Sequence, residues 1–319
     1  MTERPDAPKA ASAAGPRATG PVVQSVLELI GHTPLIRLAK METEPSAQVW
    51  GKAEFLNPAG SVKDRPALSM IQAAEATGRL QPGATLIEAT SGNTGISLAM
   101  IAAVRGYRCI LVMPEDMSVE RRHVLRAYGA EIALTTATDG MSGAVRHAEK
   151  LVGETPGSFM PRQFDNPANP ASHYSGTAKE IVEQLAGRVD AFVAGIGTGG
   201  TLTGVARCLR EHVANVRIVA VEPKNSAVLS GGRPGLHAIQ GLGAGFVPAV
   251  LDRSLIDEVV TVSDVAAERC SRRLAQAEGL LVGPSAGANV YAACALAQRL
   301  PASSNVVTIL CDSGERYLF

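Results

Sequence analysis

Asn57-Pro58-Ala59-Gly60-Ser61-Val62-Lys63-Asp64-Arg65 lies between an apolar run, Val49 to Phe55, and a helical pattern, Pro66 to Thr77, that ends at Gly78. The run reads as a buried strand, so the segment is a strand-to-helix loop carrying a lysine at the helix start. The same order repeats outward. Thr85 to Ala89 predicts a strand and Gly95 to Val104 a helix; Arg108 to Met113 a strand closed by Pro114, then a helix from Ser118 to Ala127. Glu131 to Leu134 predicts a strand and Met141 to Val152 a helix. Further on, strands are expected at Asp190–Ala194, Val216–Val221 and Val306–Cys311. Helices are expected at Leu202–His212, from a cap at Asp264 to Glu278, and at Asn289–Leu300. Ser25 caps a short helix, Val26 to Ile30. Continuous apolar strands alternating with helices predict an α/β protein with mostly parallel sheets. The Pro- and Asn-rich stretch Phe159 to Pro170 reads as a crossing between two domains.

The chain has 319 residues, long enough for two domains; 46% are hydrophobic but only 4% aromatic, so the core is built from aliphatic side chains. Zero net charge argues against nucleic acid or an anionic membrane as partner. Cys109, Cys208, Cys270, Cys294 and Cys311 are scattered and without CxxC pairing, which fits reduced core thiols of a cytoplasmic protein and neither a disulfide framework nor a zinc site. The six histidines show no metal-binding spacing, so no metal is expected. No apolar run approaches the about 18 residues a membrane span needs. Residues 1–21, rich in Ala, Pro, Gly and Arg, read as a disordered tail without the apolar core of a secretory signal.

Four places offer chemistry. A lysine amine attacks an aldehyde when it is shielded as the neutral form, and the positive end of a helix dipole disfavours an ammonium, so Lys63 is a candidate for imine formation. The plain alternative is a solvated surface lysine. Thr90-Ser91-Gly92-Asn93-Thr94-Gly95 joins a strand to a helix and offers more hydroxyls and backbone N–H groups than a capped turn needs; it suits a carboxylate. Gly195-Ile196-Gly197-Thr198-Gly199-Gly200-Thr201 suits a phosphate at a helix N-terminus. It also matches GxGxxG, with Glu222 at the end of the next strand, which is the pattern of a nicotinamide dehydrogenase. Gly283-Pro284-Ser285-Ala286-Gly287 places a serine before a helix, either as its cap or facing a ligand ring nitrogen. An imine-forming lysine, a phosphate cradle, a carboxylate site and a hydroxyl together suit pyridoxal 5'-phosphate.

Over Val26 to Leu318 the sequence resembles the cysteine synthase (O-acetylserine sulfhydrylase) family of fold-type II pyridoxal-phosphate enzymes. The likeness runs through Gly31-His32-Thr33-Pro34-Leu35, the Lys63 segment, the Thr90 loop and Met117 to Arg122. It continues through Gln163 to Pro170, the Gly197 loop, Ile239 to Pro248, Gly283 to Gly287 and Ser313 to Leu318. The resemblance implies a tryptophan synthase β-like fold of two three-layer αβα domains with the cofactor between them. Residues 22–56 and 164–319 would form the large domain and 57–163 a small mobile one, in a homodimer. By similarity Lys63 binds the cofactor as an imine and then serves as the base for the substrate Cα proton. Asn93 meets the ring hydroxyl, Gly197, Thr198, Gly199, Gly200 and Thr201 the phosphate, and Ser285 the pyridine nitrogen. Thr90, Ser91, Thr94 and Gln163 match positions that hold the substrate carboxylate. The implied reaction is β-replacement: O-acetyl-L-serine, or another O-activated serine, loses its leaving group, and sulfide or thiosulfate adds to the resulting α-aminoacrylate. Features of both the A and B branches are present. His173-Tyr174 and the Ser285 turn are closer to cystathionine β-synthases, so that activity and S-sulfocysteine synthesis are the alternatives. Serine acetyltransferase is a partner of A-branch members. His32 stands where the family usually has Asn.

Overall fold

The computed structural model describes residues 22–43 and 45–318; the expected tail, residues 1–21, lies outside them. In chain order the elements are β1 (Leu35–Arg37), β2 (Gln48–Ala53), α1 (Asp64–Ala76), β3 (Thr85–Ala89), α2 (Asn93–Arg105), β4 (Arg108–Pro114), α3 (Val119–Ala127), β5 (Glu131–Thr135) and α4 (Gly140–Glu154). There follow α5 (Ala168–Ser172), a π-helical turn (His173–Ala178), α6 (Lys179–Gln184), β6 (Ala191–Gly195), α7 (Gly200–His212), β7 (Arg217–Pro223) and β8 (Glu258–Val262). The chain ends with α8 (Asp264–Arg273), a second π turn (Leu274–Glu278), α9 (Pro284–Ala297) and β9 (Asn305–Leu310).

The strands form a six-stranded sheet in the order β1-β2-β9-β6-β7-β8 and a three-stranded sheet, β3-β4-β5. Among the described strands only β1 against β2 is antiparallel; the other strand pairings are parallel, as expected from the strand–helix alternation. Period-two alternation along each strand splits the large sheet into two buried faces. Val193, Val219 and Val306 pack with Ala267 of α8 and Val290 of α9, while Phe192, Ile218 and Val307 pack with Leu202, Val205 and Leu209 of α7. The small sheet does the same: Leu86, Leu111 and Met113 face α1 and α2, and Ile87, Ile110 and Val112 face Ala144 and Ala148 of α4. Both sheets are therefore three-layer αβα sandwiches.

Several expectations shift. The Ser25 helix is a 3-10 turn over Val26–Leu29, and β2 ends at Ala53, where Glu54–Leu56 turns. Ser263, not Asp264, caps α8: its side chain accepts from the Ala266 N–H. The last helix begins at Pro284, five residues before Asn289, because proline fits the first helical turn, where no N–H is required. Strand β1 is three residues long and the α5–α6 stretch is interrupted by Pro170 and Gly176, so neither carries a pattern that reads from sequence; β8, with its β-branched Val259–Val262, is an addition to the expected strands. His32, with φ 49°, occupies the left-handed region that Asn tolerates better, which explains the family's usual residue there.

One buried group makes stability pH-dependent. Glu88 near the end of β3 accepts from the Ala89 and Arg162 N–H groups, and burial pushes its carboxyl up to about 7. Because the folded chain holds this proton more tightly than the unfolded one, the stabilisation is full below about pH 4.5 and is lost as pH rises through 7. At roughly 1.4 kcal/mol per unit, the loss is about 3 kcal/mol. Glu88→Gln is expected to flatten this part of the profile. Urea midpoints of wild type and variant at pH 5 and pH 8 check it; equal pH slopes would contradict it.

Candidate active site

The extension of β9 brings the expected site together. Leaving the sheet at Leu310, the chain runs between the lysine segment and the serine turn. Cys311 accepts from the Val62 N–H at 2.8 Å, Asp312 accepts from the Gly283 N–H at 3.2 Å, and the Ser313 N–H donates to Gly60 at 3.3 Å. Lys63 immediately precedes α1, and Ser285 sits in the first turn of α9. The serine is not the cap, because Gly283 occupies that position. These segments and the Gly195 loop line one cleft. Its walls include Lys63, Asn93, Gly197, Thr198, Gly199, Thr201 and Ser285.

The loop before α7 is bare backbone by necessity. A Cβ on Gly197 would lie 2.2 Å from the Gly241 carbonyl oxygen, and Gly199 has φ 83° with Leu251 Cβ 2.8 Å from where its own Cβ would be. Gly200 is buried behind the lining, against Asn169. The start of a thirteen-residue helix thus opens on the cleft with its N–H groups and two threonine hydroxyls, which suits a phosphate. A lysine amine, an amide and a serine hydroxyl complete the walls. This donor set fits an aldehyde-bearing, phosphorylated aromatic ring.

The carboxylate group of residues is placed differently. Thr90, Ser91, Thr94 and Gln163 do not line this cleft. Thr94 Oγ1 donates to Gln163 Oε1 at 2.7 Å, Thr90 Oγ1 accepts from the Gly92 N–H, and the Ser91 hydroxyl lies 3.9 Å from Met141 Sδ. Asn93, between Ser91 and Thr94, opens α2 and lines the cleft, so the segment adjoins the cleft through this residue.

Sequence reasoning missed what holds Asn93. Its Nδ2 donates to Asp312 Oδ2 at 2.6 Å, and its Oδ1 accepts from Arg316, which also donates to the Ala59 carbonyl. Tyr317 donates to the same Asp312 carboxylate at 2.5 Å. Burial raises the Asp312 carboxyl above the usual range, and its second oxygen is buried without a partner. Cys311 was also missed; it lines the cleft, and burial pushes its thiol up to about 11.

The dehydrogenase reading fails on Glu222. Its carboxylate is buried and accepts from the Leu229 N–H, the Ser230 N–H and the Ser230 hydroxyl, so it serves a local turn.

Residues 26–312 match the model of the family described as pyridoxal-phosphate dependent enzyme. The chain belongs to that family. A cysteine synthase of Staphylococcus aureus is 48% identical to this pyridoxal-phosphate enzyme over 297 residues, 93% of this chain and 96% of the relative. Among solved structures, O-ureido-L-serine synthase is 50% identical with a TM-score of 0.90, covering 93% of this chain and 94% of that one. The O-acetylserine-dependent cystathionine β-synthase of Helicobacter pylori is 41% identical with a TM-score of 0.88, covering 94% and 98%. The tryptophan synthase β-like, fold-type II expectation agrees with these relatives and with the parallel sheets.

Proposed function

We propose that the protein is a cysteine synthase that exchanges the acetate of O-acetyl-L-serine for sulfide, yielding L-cysteine. The observation that carries this reading is the convergence of Lys63, Asn93, the Gly197–Thr201 loop and Ser285 on one cleft. Lys63 would hold pyridoxal phosphate through Nζ, the loop its phosphate, Asn93 its ring hydroxyl and Ser285 its pyridine nitrogen. Bound there, the cofactor supplies an aldehyde that couples to amines and an electron sink that acidifies the substrate Cα–H. Ser285 would offer the ring nitrogen a neutral hydroxyl in place of a carboxylate, which would favour loss of the β-substituent over transamination. Lys63 takes the Cα proton and returns it after the sulfur has added to Cβ. Thr90, Ser91, Thr94 and Gln163 receive the substrate carboxylate once the Thr94–Gln163 hydrogen bond opens toward it.

In this reading residues 22–56 and 164–319 form the large unit and residues 57–163 the small one, which closes on substrate. Arg121 bridges them, donating to the Ser91 carbonyl at 3.2 Å and to Gln240 Oε1 at 2.5 Å. The reading includes a homodimer, a cytoplasmic location suited to five unpaired cysteines, and serine acetyltransferase as a further partner. No helix of the described residues is long and apolar enough to cross a membrane.

A second reading replaces sulfide by homocysteine or thiosulfate. It draws on the Helicobacter pylori relative and on the serine turn. Turnover of O-acetyl-L-serine with sulfide, thiosulfate and homocysteine separates these. Cysteine formation fastest with sulfide is expected, a preference for homocysteine would favour the second reading, and no product from any of the three would overturn both.

A further inference from the structure

Behind the phosphate-type loop stand two buried polar side chains four residues apart, Asn169 in α5 and His173 at the start of the π turn. Each touches one of the two threonines. Asn169 Nδ2 donates to Thr198 Oγ1 at 3.0 Å and to the Gln163 carbonyl at 2.8 Å. The Gly200 N–H donates to the same Thr198 oxygen at 3.4 Å. Both lone pairs of Thr198 Oγ1 are then occupied, and its own hydrogen is left to donate. His173 Nε2 lies 3.2 Å from Thr201 Oγ1, and Nδ1 lies 2.9 Å from the hydroxyl of Thr177, which is fully buried. Burial, ahead of the nearby Arg65 and Lys63 charges, holds the imidazole well below its ordinary pKa, so it is neutral and carries one N–H. Thr177 makes no other side-chain hydrogen bond among the described residues. Its hydrogen therefore goes to Nδ1, because the opposite tautomer would strand that hydrogen in the interior. The remaining N–H, on Nε2, donates to Thr201.

Close packing makes this contact available. A Cβ on Gly204 of α7 would lie 2.1 Å from the Pro170 carbonyl oxygen and 2.8 Å from His173 Cβ, so only glycine allows α7 to approach the π turn this nearly. The π geometry itself adds a residue to the turn, a distortion that recurs at functional sites.

We propose that Asn169 and His173 are positioning residues that make the Gly195–Thr201 loop a donor-only cradle. By donating to Thr198 and Thr201 they turn both hydroxyl hydrogens toward a dianionic phosphoryl group. This rests on the pyridoxal-phosphate reading above and deepens its phosphate site. A hydroxyl that is free to accept instead of donate would set an oxygen lone pair against a phosphate oxygen, and a lost hydrogen bond to a charged group costs about 1.5–3 kcal/mol.

The test uses the full chain stripped of cofactor and titrated with pyridoxal 5'-phosphate, with phosphate-free pyridoxal and with inorganic phosphate. His173→Leu is expected to weaken pyridoxal 5'-phosphate and phosphate about 10- to 100-fold, the equivalent of those energies, while leaving pyridoxal unchanged. His173→Gln restores a donor and is expected to recover most of the loss. Asn169→Asp, which substitutes an acceptor, is expected to act in the same direction as His173→Leu. Nitrogen-15 NMR of histidine-labelled wild type, with His173 assigned by the His173→Gln spectrum, reads the wild-type tautomer directly and should show Nε2–H. An Nδ1–H tautomer, unchanged affinity in His173→Leu, or equal losses for pyridoxal and its phosphate would overturn the proposal. A wild-type chain that binds no pyridoxal 5'-phosphate would overturn the functional reading itself, and this one with it.

Discussion

Lys63→Ala is expected to reduce turnover of O-acetyl-L-serine by at least about 10³-fold, since both the covalent hold on the cofactor and the proton-transferring base disappear. The loss should be chemical, not structural. The Lys63 side chain is half-buried in the cleft wall and closes no ion pair among the described residues, so against wild type stripped of cofactor melting should move by no more than about 2 °C. Three measurements check this: steady-state rates, the violet-region absorbance of the purified protein, and borohydride fixation of that chromophore. The wild type should retain the label at residue 63 and the variant should take none. A variant that kept more than a tenth of wild-type turnover would remove Lys63 from the mechanism.

Arg65→Met is expected to cause the largest loss of stability. The guanidinium lies two residues beyond Lys63, almost fully buried, and clamps two carboxylates. Nε and Nη2 donate to Glu54 at 2.7 and 2.8 Å, and Nη1 and Nη2 donate to Glu180 at 2.7 and 2.8 Å. Glu54 also accepts from Thr33 and Asn57, and Glu180 from the His32 N–H and from Lys52 Nζ at 2.7 Å. This network ties the start of α1 to β2, to α6 and to the Gly31–Thr33 turn. Removing its centre leaves the buried Glu54 carboxylate without its ion-pair partner and Glu180 with Lys52 alone, which costs about 3–5 kcal/mol. In a chain of this size that corresponds to a fall in melting temperature on the order of 10 °C. Arg272→Ala, which breaks a largely exposed i,i+4 pair with Glu268, should shift melting by less than about 2 °C. Similar shifts for the two variants would refute the assignment of Arg65 as a stability centre.

The same network sets the acid limb. Burial alone would raise the Glu180 carboxyl, but hydrogen bonds and charge from Arg65 and Lys52 hold it down to about 2. A depressed carboxyl contributes stability that is full above about pH 4.5 and lost as pH falls toward 2. Arg65→Met should shrink that limb, visible as a shallower loss of stability between pH 5 and pH 3.

Lys63, the Gly195–Thr201 loop and the Gly283–Gly287 turn were legible because their chemistry is local. A strand, a glycine-rich turn and a helix start write donor groups into a few consecutive residues, and their physical meaning survives without the rest of the chain. The alternation of apolar runs with helical patterns was legible for the same reason, since buried parallel strands need no partner residue to be recognised. Ser285 shows the limit. Sequence left it between cap and ligand hydroxyl, and the helix start at Pro284 decided for the wall of the cleft.

By itself the amino-acid order determined an α/β fold with mostly parallel strands, the three glycine-bearing strand-to-helix turns and a lysine at a helix start. Tertiary structure alone decided that Asn93 is gripped by Asp312 and Arg316, more than two hundred residues away, and that Arg65 is paired with Glu54 and Glu180. It alone set Asn169 and His173 behind the threonines. Charge and hydrogen-bond partners are chosen by distance in space, and a polar residue carries no mark in sequence of which distant group the folded sheets will bring within 3 Å of it.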